Sequence, residues 1–351
     1  MTSFWTGSLR AATALVLVCA AAPHAYAQAK ITLDDGRSVS VGGGLRTSFR
    51  ATETAPDSGA YLQTFALDSA RLYLNADLLR HFAAEVNVEL GSPASTRVLD
   101  AVVKYSPSPY FNVWMGRHLP PSDRANLAGP YFAMPFDYPG LISRYPSIFA
   151  GRDNGVLVHG QVAGGVFKYA GGVYEGADNV GGADDTLLYA TRLVYNLLDA
   201  EPGYYNNGTY YGDKNLLAIG FAAQHQADVV VVGGAPEAFT GVSGDLLYEM
   251  KFDGVGVVTL EAAAYDYDTR GGAGDGQSYL ASAAYMLPGM TGIGTLQPLV
   301  RFQEFENESA LDVGVNYVIR GHNARVSAFY TRSGSDASKT HNLTFGLQVQ
   351  F

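Results

Sequence analysis

The sequence predicts an all-β fold, a transmembrane antiparallel β-barrel of about 16 strands with an inward-folded third loop. Two observations lead to this fold class: apolar and polar residues alternate along most of the chain, and an even number of such segments follow one another. The composition agrees, with 41 Gly, 23 Tyr and only 16% charged residues, where a typical soluble domain has about 25% charged residues.

Residues 1–27 are predicted to be a cleaved signal peptide, which leaves 28–351 as the barrel domain. Arg10 precedes an apolar stretch, 11–22, which is shorter than the roughly 20 residues of a membrane-spanning helix. The tripeptide 25–27, Ala-Tyr-Ala, then has the small-x-small pattern of a cleavage site. The single cysteine, Cys19, lies in this segment, so we expect neither disulfides nor a Cys/His zinc site in the mature chain.

Strands are predicted from a hydrophobic period of two. In the last segment, apolar residues occupy every second position from Leu343 to Phe351, and polar residues such as Thr344 and Gln348, with one glycine, lie between them. This alternation indicates a strand with one face in an apolar medium and the other in water. The final Phe351 is typical of the assembly signal at the end of outer-membrane barrels.

The same pattern recurs in about sixteen segments, an even number as bacterial single-chain barrels require. The predicted strands are 39–50, 65–79, 82–91, 97–106, 110–117, 152–159, 165–175, 186–198, 215–227, 240–252, 256–270, 277–287, 295–306, 310–320, 324–332 and 340–351.

The connections between these strands are predicted to alternate in length. With the N terminus on the periplasmic side, the short turns there are rich in Pro, Gly and Asn: 106–109, 160–163, 253–254, 288–289 and 321–323. Longer polar loops are predicted on the opposite side at 51–64, 176–185 and 228–239. Segment 199–214 breaks this rule, because it is a long connection on the short-turn side.

The segment most expected to carry function is 118–150, the third external loop. Its six prolines exclude a strand, and its aromatic residues argue against disorder. A loop of more than about 15 residues inside a compact domain is usually functional. We therefore expect it to fold into the lumen as a constriction.

Charged residues in and around this loop are the candidate site residues. The predicted pore-lining and constriction residues are Arg117, His118, Asp123, Arg124, Asp137, Arg144, Arg152 and Asp153 near the loop, with Arg46, Arg50, Arg71, Glu85 and Lys104 on the wall. One interpretation is that these charges select ions at the narrowest point. The alternative is that neighbouring Asp and Arg residues form salt bridges that pin the loop to the wall. A third possibility is that Arg46, Arg50 and Arg71 face an acidic loop across the lumen, where a transverse field would favour dipolar solutes.

Several motifs resemble the phosphate-selective porin O and P family. They are Arg-Leu-Tyr-Leu-Asn-Ala at 71–76, Glu-Val-Asn-Val-Glu at 85–89, Met-Gly-Arg-His at 115–118, Pro-Gly-Leu-Ile-Ser-Arg-Tyr at 139–145, Gly-Arg-Asp-Asn-Gly at 151–155 and the tyrosine-rich stretch 201–215. The resemblance covers nearly all of the mature chain and is strongest between 65 and 160. It implies a 16-stranded barrel, usually a homotrimer, that passes small solutes, and whose best-known relatives select phosphate with inward Arg and Lys residues.

The inward charges argue against carrying phosphate selectivity over to this chain. On each predicted strand, the positions that alternate with the apolar face are expected to point inward, and we call this assignment strand parity. Seven cations point inward by it: Arg46, Arg50, Arg71, Lys104, Lys168, Arg192 and Arg301. Seven acids do the same: Asp77, Glu85, Glu89, Asp100, Asp245, Glu249 and Glu261. An anion filter needs an excess of positive charge at its narrowest point, and this balance supplies none.

The sequence thus predicts an outer-membrane porin for passive diffusion of small hydrophilic solutes and ions, with phosphate among the candidate anions. Expected partners are outer-membrane lipid, lipopolysaccharide, the solutes and two further copies of the chain. The net charge of −10 argues against nucleic acid. No cofactor, metal site or catalytic residue is expected.

Two other functions remain as alternatives. A barrel hydrolase would use the neighbourhood of Ser143, His118, His159 and Asp153, but the sequence has no Gly-x-Ser-x-Gly elbow. A partner in a larger outer-membrane assembly is the other alternative, and the Pro-rich and aromatic-rich 118–150 loop weighs against it.

Overall fold

A computed structural model describes residues 29–33, 37–90, 96–142, 151–178, 186–335 and 337–351. The predicted signal peptide 1–27 and the candidate residues Ser143 and Arg144 lie outside the described residues. The strands are β1 Ala29–Thr32, β2 Ser38–Glu53, β3 Tyr61–Leu79, β4 Phe82–Leu90, β5 Thr96–Ser108, β6 Phe111–His118, β7 Asp153–Val162, β8 Phe167–Tyr174, β9 Leu188–Asn196, β10 Leu216–Val232, β11 Ala235–Phe252, β12 Gly256–Asp268, β13 Gly276–Met286, β14 Thr295–Phe305, β15 Glu308–Arg320, β16 Ala324–Ser335 and β17 Ser338–Gln350.

Strands β2 to β17 form a closed antiparallel barrel of 16 strands, which confirms the predicted fold class. Each strand pairs with its sequence neighbours, and β17 closes the ring by pairing with β2 from Asn342↔Thr52 to Gln350↔Gly44. The short β1 pairs with residues 38–41 of β2. Because β3 occupies the other edge of β2 along its whole length, β1 continues the edge of β2 that β17 leaves uncovered.

The barrel reverses the usual distribution of polar and apolar residues. In β9, Tyr189, Leu193 and Tyr195 point outward and are exposed, whereas Arg192 and Asn196 point inward and are buried. The same alternation places Thr344 and Gln348 of β17 inside. Apolar residues therefore cover the outside of the barrel, and the interior holds many polar residues together with apolar clusters that pack against the inward-folded segments.

We call the end that carries Ala29 and Phe351 the turn end, and the opposite end the loop end. The turn-end connections are mostly short, such as 80–81, 109–110 and 321–323, as predicted. The prediction of a long loop at 228–239 is wrong. Strands β10 and β11 run to Val232 and Ala235, and only Gly233-Gly234 connects them, with φ angles of 60° and 87°. Two glycines accept the positive φ of a tight hairpin, and the valines before them favour a strand.

One α-helix occurs in the described part of the chain, α1 Arg124–Phe132, between β6 and β7, and a short 3-10 helix, Ala163–Gly165, connects β7 and β8. The Asp123 carboxylate caps it by accepting a hydrogen bond from the Asn126 backbone N–H at 3.2 Å, as short polar residues do at helix N-termini. Gly129, with a φ of 62°, and Pro130 interrupt its last turn. Among the residues described, no helix has both the length and the apolar character needed to cross a membrane.

Candidate pore interior

The described residues of the connection between β6 and β7, 119–142 and 151–152, lie inside the barrel, and we call them the lumen loop. Side chains of lumen-facing strand residues donate hydrogen bonds to its backbone carbonyls. Gln348 donates to Tyr131 at 2.9 Å, Arg325 to Ala133 at 2.8 Å, Asn316 to Met134 at 2.9 Å, Arg301 to Asp137 at 2.7 Å, and Arg46 to Phe136. These donors come from β14, β15, β16, β17 and β2, five adjacent strands, and residues of β9, β10, β12 and β13 donate to other carbonyls of the loop.

Two glycines make room for the aromatic side chains that anchor this loop. A Cβ atom at Gly346 would lie 2.5 Å from the Phe136 ring, and one at Gly44 would lie 2.8 Å from the Tyr131 ring. The Arg46 guanidinium lies over the Phe136 ring, 4.2 Å from its centroid. A desolvated cation stacked on an aromatic face contributes up to about 2 kcal/mol, so the loop is held by its side chains as well as by its backbone.

A second segment also enters the lumen, from the turn end. We call residues 197–215, between β9 and β10, the inner turn. Its Tyr204 hydroxyl donates to the Leu119 carbonyl at 2.8 Å, and its Gly208 backbone N–H donates to the Phe132 carbonyl at 2.9 Å. The sequence singled out 199–214 as an unusually long connection but gave no reason to place it in the lumen. Its tyrosines are the signal that was missed, because the same aromatic enrichment placed the lumen loop inside.

A buried cluster of charges joins the two inward-folded segments. Arg124 of the lumen loop makes a bidentate pair with Glu201 of the inner turn, at 2.7 and 2.8 Å, and the Tyr210 hydroxyl donates to Glu201 at 2.8 Å. Burial opposes ionisation of Glu201, but Arg124 outweighs it and holds the pKa of that carboxyl below its usual value. Asp245 completes the cluster, pairing with Arg192 at 2.6 Å and lying 3.6 Å from Arg124.

The inner turn is also bound to the wall. The Glu249 carboxylate of β11 accepts hydrogen bonds from the backbone N–H groups of Tyr210 and Gly212 and from the Thr209 hydroxyl, at 2.7 to 3.1 Å. His322, at the turn end, donates to the Thr209 carbonyl at 2.9 Å. Burial lowers the pKa of His322 to about 4, so this imidazole is neutral at neutral pH and has a single ring proton to donate.

Most of the other candidate cations are paired with carboxylates. Arg50 bonds to Asp137 at 2.6 Å and to Asp68 at 2.9 Å, Arg71 to Glu89 at 2.6 Å, Arg152 to Asp100 at 3.0 Å, and Lys104 to Glu85. Of these pairs, Arg50–Asp137 and Arg152–Asp100 join the wall to the lumen loop. Arg46 and Arg50 therefore contact the loop directly, and Arg71 lies 5.0 Å from the Tyr131 ring centroid, so the three arginines do not face the loop across an open lumen.

The remaining candidates lie where the loop joins β6 and β7. Arg117 donates to the Arg152 carbonyl at 3.2 Å. His118 is fully buried, and its ring nitrogens bond to the Gly116 carbonyl and the Tyr174 hydroxyl, both at 3.1 Å. Asp153 accepts from the Gly176 backbone N–H at 2.6 Å. Asp123, beside Arg124, accepts from the Tyr265 hydroxyl at 2.9 Å.

Two cavities lie inside the barrel on either side of the inward-folded segments. The turn-end cavity has a volume of about 630 Å³ and lies between the β3–β6 wall, helix α1 and the inner turn. The loop-end cavity has a volume of about 510 Å³ and lies between Asp137, Tyr138 and the wall of β14 to β17 with β2. In the described ranges, no group of three or more His, Cys, Asp or Glu residues is placed to hold a metal ion.

Comparison with solved structures shows the fold. The anion-selective porin from Comamonas acidovorans is 15% identical, with a TM-score of 0.60 over 90% of this chain and 100% of that chain. OmpT, an outer membrane protein of Vibrio cholerae, in a trimer form, is 15% identical with a TM-score of 0.57, covering 90% and 99%. The outer membrane channel DcaP of Acinetobacter baumannii is 11% identical with a TM-score of 0.58, covering 92% and 99%.

Sequence comparison is less informative. No family model matches the chain. An uncharacterized protein of Aquifex aeolicus (strain VF5) is 25% identical over 259 residues, which span 64% of this chain and 61% of the relative. The structural similarity therefore shows the fold, a closed 16-stranded antiparallel barrel, and neither comparison establishes membership of the phosphate-selective family.

Proposed function

We propose that this chain forms a water-filled channel in the bacterial outer membrane for passive diffusion of small hydrophilic solutes and ions. The observation that carries the proposal is the reversed polarity of a closed barrel, apolar outside and polar inside, with a long loop bound in its lumen. A closed barrel pairs its backbone groups between strands, as a membrane-spanning sheet must. A polar interior is what an aqueous channel requires.

Exposed aromatic residues support the membrane location. Near the turn end, Tyr110, Phe111 and Tyr195 are exposed on the outside, and near the loop end Phe65 and Tyr279 are exposed. Aromatic girdles at both lipid–water interfaces are typical of outer-membrane barrels. The proposal includes removal of 1–27 as a signal peptide, contact with lipid and lipopolysaccharide, and assembly as a homotrimer, for which the trimer form of the similar Vibrio cholerae OmpT is a precedent.

The charge pairing supports a channel of weak ion selectivity. A carboxylate lies within hydrogen-bond distance of Arg50, Arg71, Lys104 and Arg152. An entering anion would compete with that carboxylate for the same donors, so little positive potential remains to attract it. For this reason the proposal does not extend to phosphate selectivity, although the similar Comamonas acidovorans porin is described as anion-selective.

The hydrolase alternative has less support. His118 bonds to a tyrosine hydroxyl and a backbone carbonyl, and His159 packs edge-on against Trp114 at a centroid distance of 4.9 Å. A general base must instead lie within hydrogen-bond reach of its nucleophile. The channel proposal therefore assigns no catalytic role to these residues.

Liposome swelling tests the channel proposal. Vesicles containing the purified chain are diluted into isosmotic solutions of neutral solutes of increasing mass. We expect swelling with the smallest solutes and a steep fall in rate as solute size increases, because both inward-folded segments narrow the lumen. Deletion of 126–143 should raise the rates for the larger solutes, while Asn307→Asp, in the exposed hairpin between β14 and β15, should change nothing. Absence of swelling from folded barrels would contradict the proposal.

A further inference from the structure

The turn-end cavity has the size and the wall chemistry of a solute-binding site. Its volume of about 630 Å³ lies in the range of about 300–1,000 Å³ that small-molecule sites occupy. Helix α1 of the lumen loop and residues 202–207 of the inner turn form one side, and lumen-facing residues of β3 to β6 form the other. Any solute that crosses this half of the barrel must pass through this space, so the inference rests on the proposed channel function.

The charges around the cavity cancel. Its three cations, Arg71, Lys104 and Arg152, are each bonded to a carboxylate of the same wall, Glu89, Glu85 and Asp100 respectively. Three positive and three negative groups leave no net charge to attract an anion or a cation. The three cations and the carboxylates of Glu85 and Asp100 line the cavity and still present hydrogen-bonding atoms at short range, so the wall is strongly polar although its charges are paired.

Two buried amides on opposite sides of the cavity leave one donor and one acceptor unused. The Asn87 amide nitrogen donates to Glu85 at 2.7 Å and to Asp100 at 2.8 Å, which fixes the orientation of the amide. Its oxygen, Oδ1, is then left without a hydrogen-bond partner. The Asn206 oxygen accepts from Lys168 at 3.0 Å, which leaves its nitrogen, Nδ2, without a partner. Asn87 is 9% exposed and Asn206 is 1% exposed, and both line the cavity.

A free donor and a free acceptor together specify a hydroxyl-bearing ligand. A hydroxyl group both donates and accepts, whereas an anion satisfies only the donor and a cation only the acceptor. The cavity also presents apolar surface: Phe132 is 37% exposed although it lies inside the barrel, and the half-buried Tyr205 packs against Trp114 at 5.8 Å. Aromatic surface with a few fixed polar groups is typical of sites that orient a small ligand.

From these observations we infer that the turn-end cavity is a binding site for a neutral polyhydroxylated solute of monosaccharide size, with the amides of Asn87 and Asn206 as its hydrogen-bonding groups. The carboxylate–cation pairs bind further hydroxyls, and the aromatic side chains contact the C–H face of the ring. When the concentration of the solute is low, occupancy of the site speeds the entry of neutral polyols relative to that of ions of similar size. The channel is then selective for neutral polyols.

Intrinsic fluorescence tests this inference independently of conduction. The chain has 2 Trp, Trp5 and Trp114, so a chain beginning at Gln28 reports from Trp114 alone, which lines the cavity. We expect a saturable change in Trp114 emission when glucose is added to the folded protein in detergent. Inorganic phosphate at constant ionic strength should give no change.

The matched variant is Asn206→Leu, which is nearly isosteric and removes the free donor without supplying another hydrogen-bonding group. It should weaken glucose binding by about tenfold or more, because the ligand loses a buried hydrogen bond. Asn307→Asp, in the exposed hairpin, should bind glucose like the unmodified chain.

The two proposals fail separately in this design. A glucose response without ion conduction would refute the channel and leave the site standing. Ion conduction without a glucose response would refute the site alone. The site is also refuted by a phosphate response as large as that to glucose, or by a glucose response that Asn206→Leu leaves unaltered.

Discussion

Replacing Glu201 by Gln should release the inner turn from the lumen loop. The Glu201 carboxylate is fully buried and holds both terminal nitrogens of Arg124 at 2.7 and 2.8 Å. Removing one partner of a buried ion pair costs about 3–5 kcal/mol, because the other charge stays desolvated. Gln is nearly isosteric and keeps one acceptor, and Arg124 keeps a carboxylate, Asp245, at 3.6 Å. We therefore expect the free energy that holds the inner turn against the lumen loop to fall by about 3 kcal/mol, near the lower bound. This shifts the equilibrium between the docked and the released turn by about 100-fold.

Hydrogen exchange measures this shift at one amide. The Gly208 N–H donates to the Phe132 carbonyl, which joins the inner turn to the lumen loop. Its protection factor should fall by about 100-fold in Glu201→Gln. The Val255 N–H, bonded to Phe252 in a wall turn, should keep its protection. The matched control is Glu308→Gln, at an exposed position of β15.

Unchanged protection at Gly208 would refute this reasoning, because it would mean that the Arg124–Glu201 pair does not hold the turn. A fall of equal size at Val255 would also refute it, since the barrel itself would then have lost stability. A fall confined to the amides of the inner turn is the expected result.

Two further outcomes follow from the packing around the lumen loop. Gly346→Ala should displace the lumen loop and change single-channel conductance, because the new Cβ would lie 2.5 Å from the Phe136 ring. The control is Gly244→Ala, which should conduct normally because its Cβ would have no neighbour closer than 4.0 Å. Acidification should loosen the inner turn between about pH 6.5 and 4. The pKa of His322 is lowered to about 4 from 6.5, so the undocked state binds more protons and docking weakens as pH falls. Limited proteolysis of the inner turn against pH measures this, and His322→Gln should reduce the dependence; a flat profile in the unmodified chain would contradict it.

The barrel was predictable from the sequence because its signal is local. Each of the 16 predicted strands corresponds to one of β2 to β17, since a period of two places alternate side chains in lipid and water. The ends of the strands were less predictable. The valines before Gly233 extend β10 past Asp228, whose φ of 56° is left-handed. The hydrophobic pattern does not indicate the register shift between Gln226 and Val230.

The contents of the lumen were only partly predictable. Prolines and aromatic residues identified the lumen loop as an ordered segment, but its partners come from strands up to 217 residues away, as in the Gln348–Tyr131 hydrogen bond. Strand parity placed Arg71 and Glu89 inside correctly, and it cannot show that they bond to each other. Pairing depends on register and side-chain conformation, which a hydrophobic pattern does not encode.

The inner turn illustrates the same limit. Its length and its four tyrosines were visible in the sequence, but Glu201 had no visible partner, because Arg124 lies 77 residues away. The short β1 was not predicted either, since four residues are too few to show a period.

Conduction across a planar bilayer tests the central claim most directly. With the purified chain in the membrane and a tenfold KCl gradient, the account predicts stepwise channels and a reversal potential close to zero, far from the roughly 59 mV of a fully selective monovalent channel. This result follows from a polar lumen in which most cations are paired with carboxylates. Folded barrels that give no steps, or a reversal potential approaching the fully selective limit in either direction, would contradict the account.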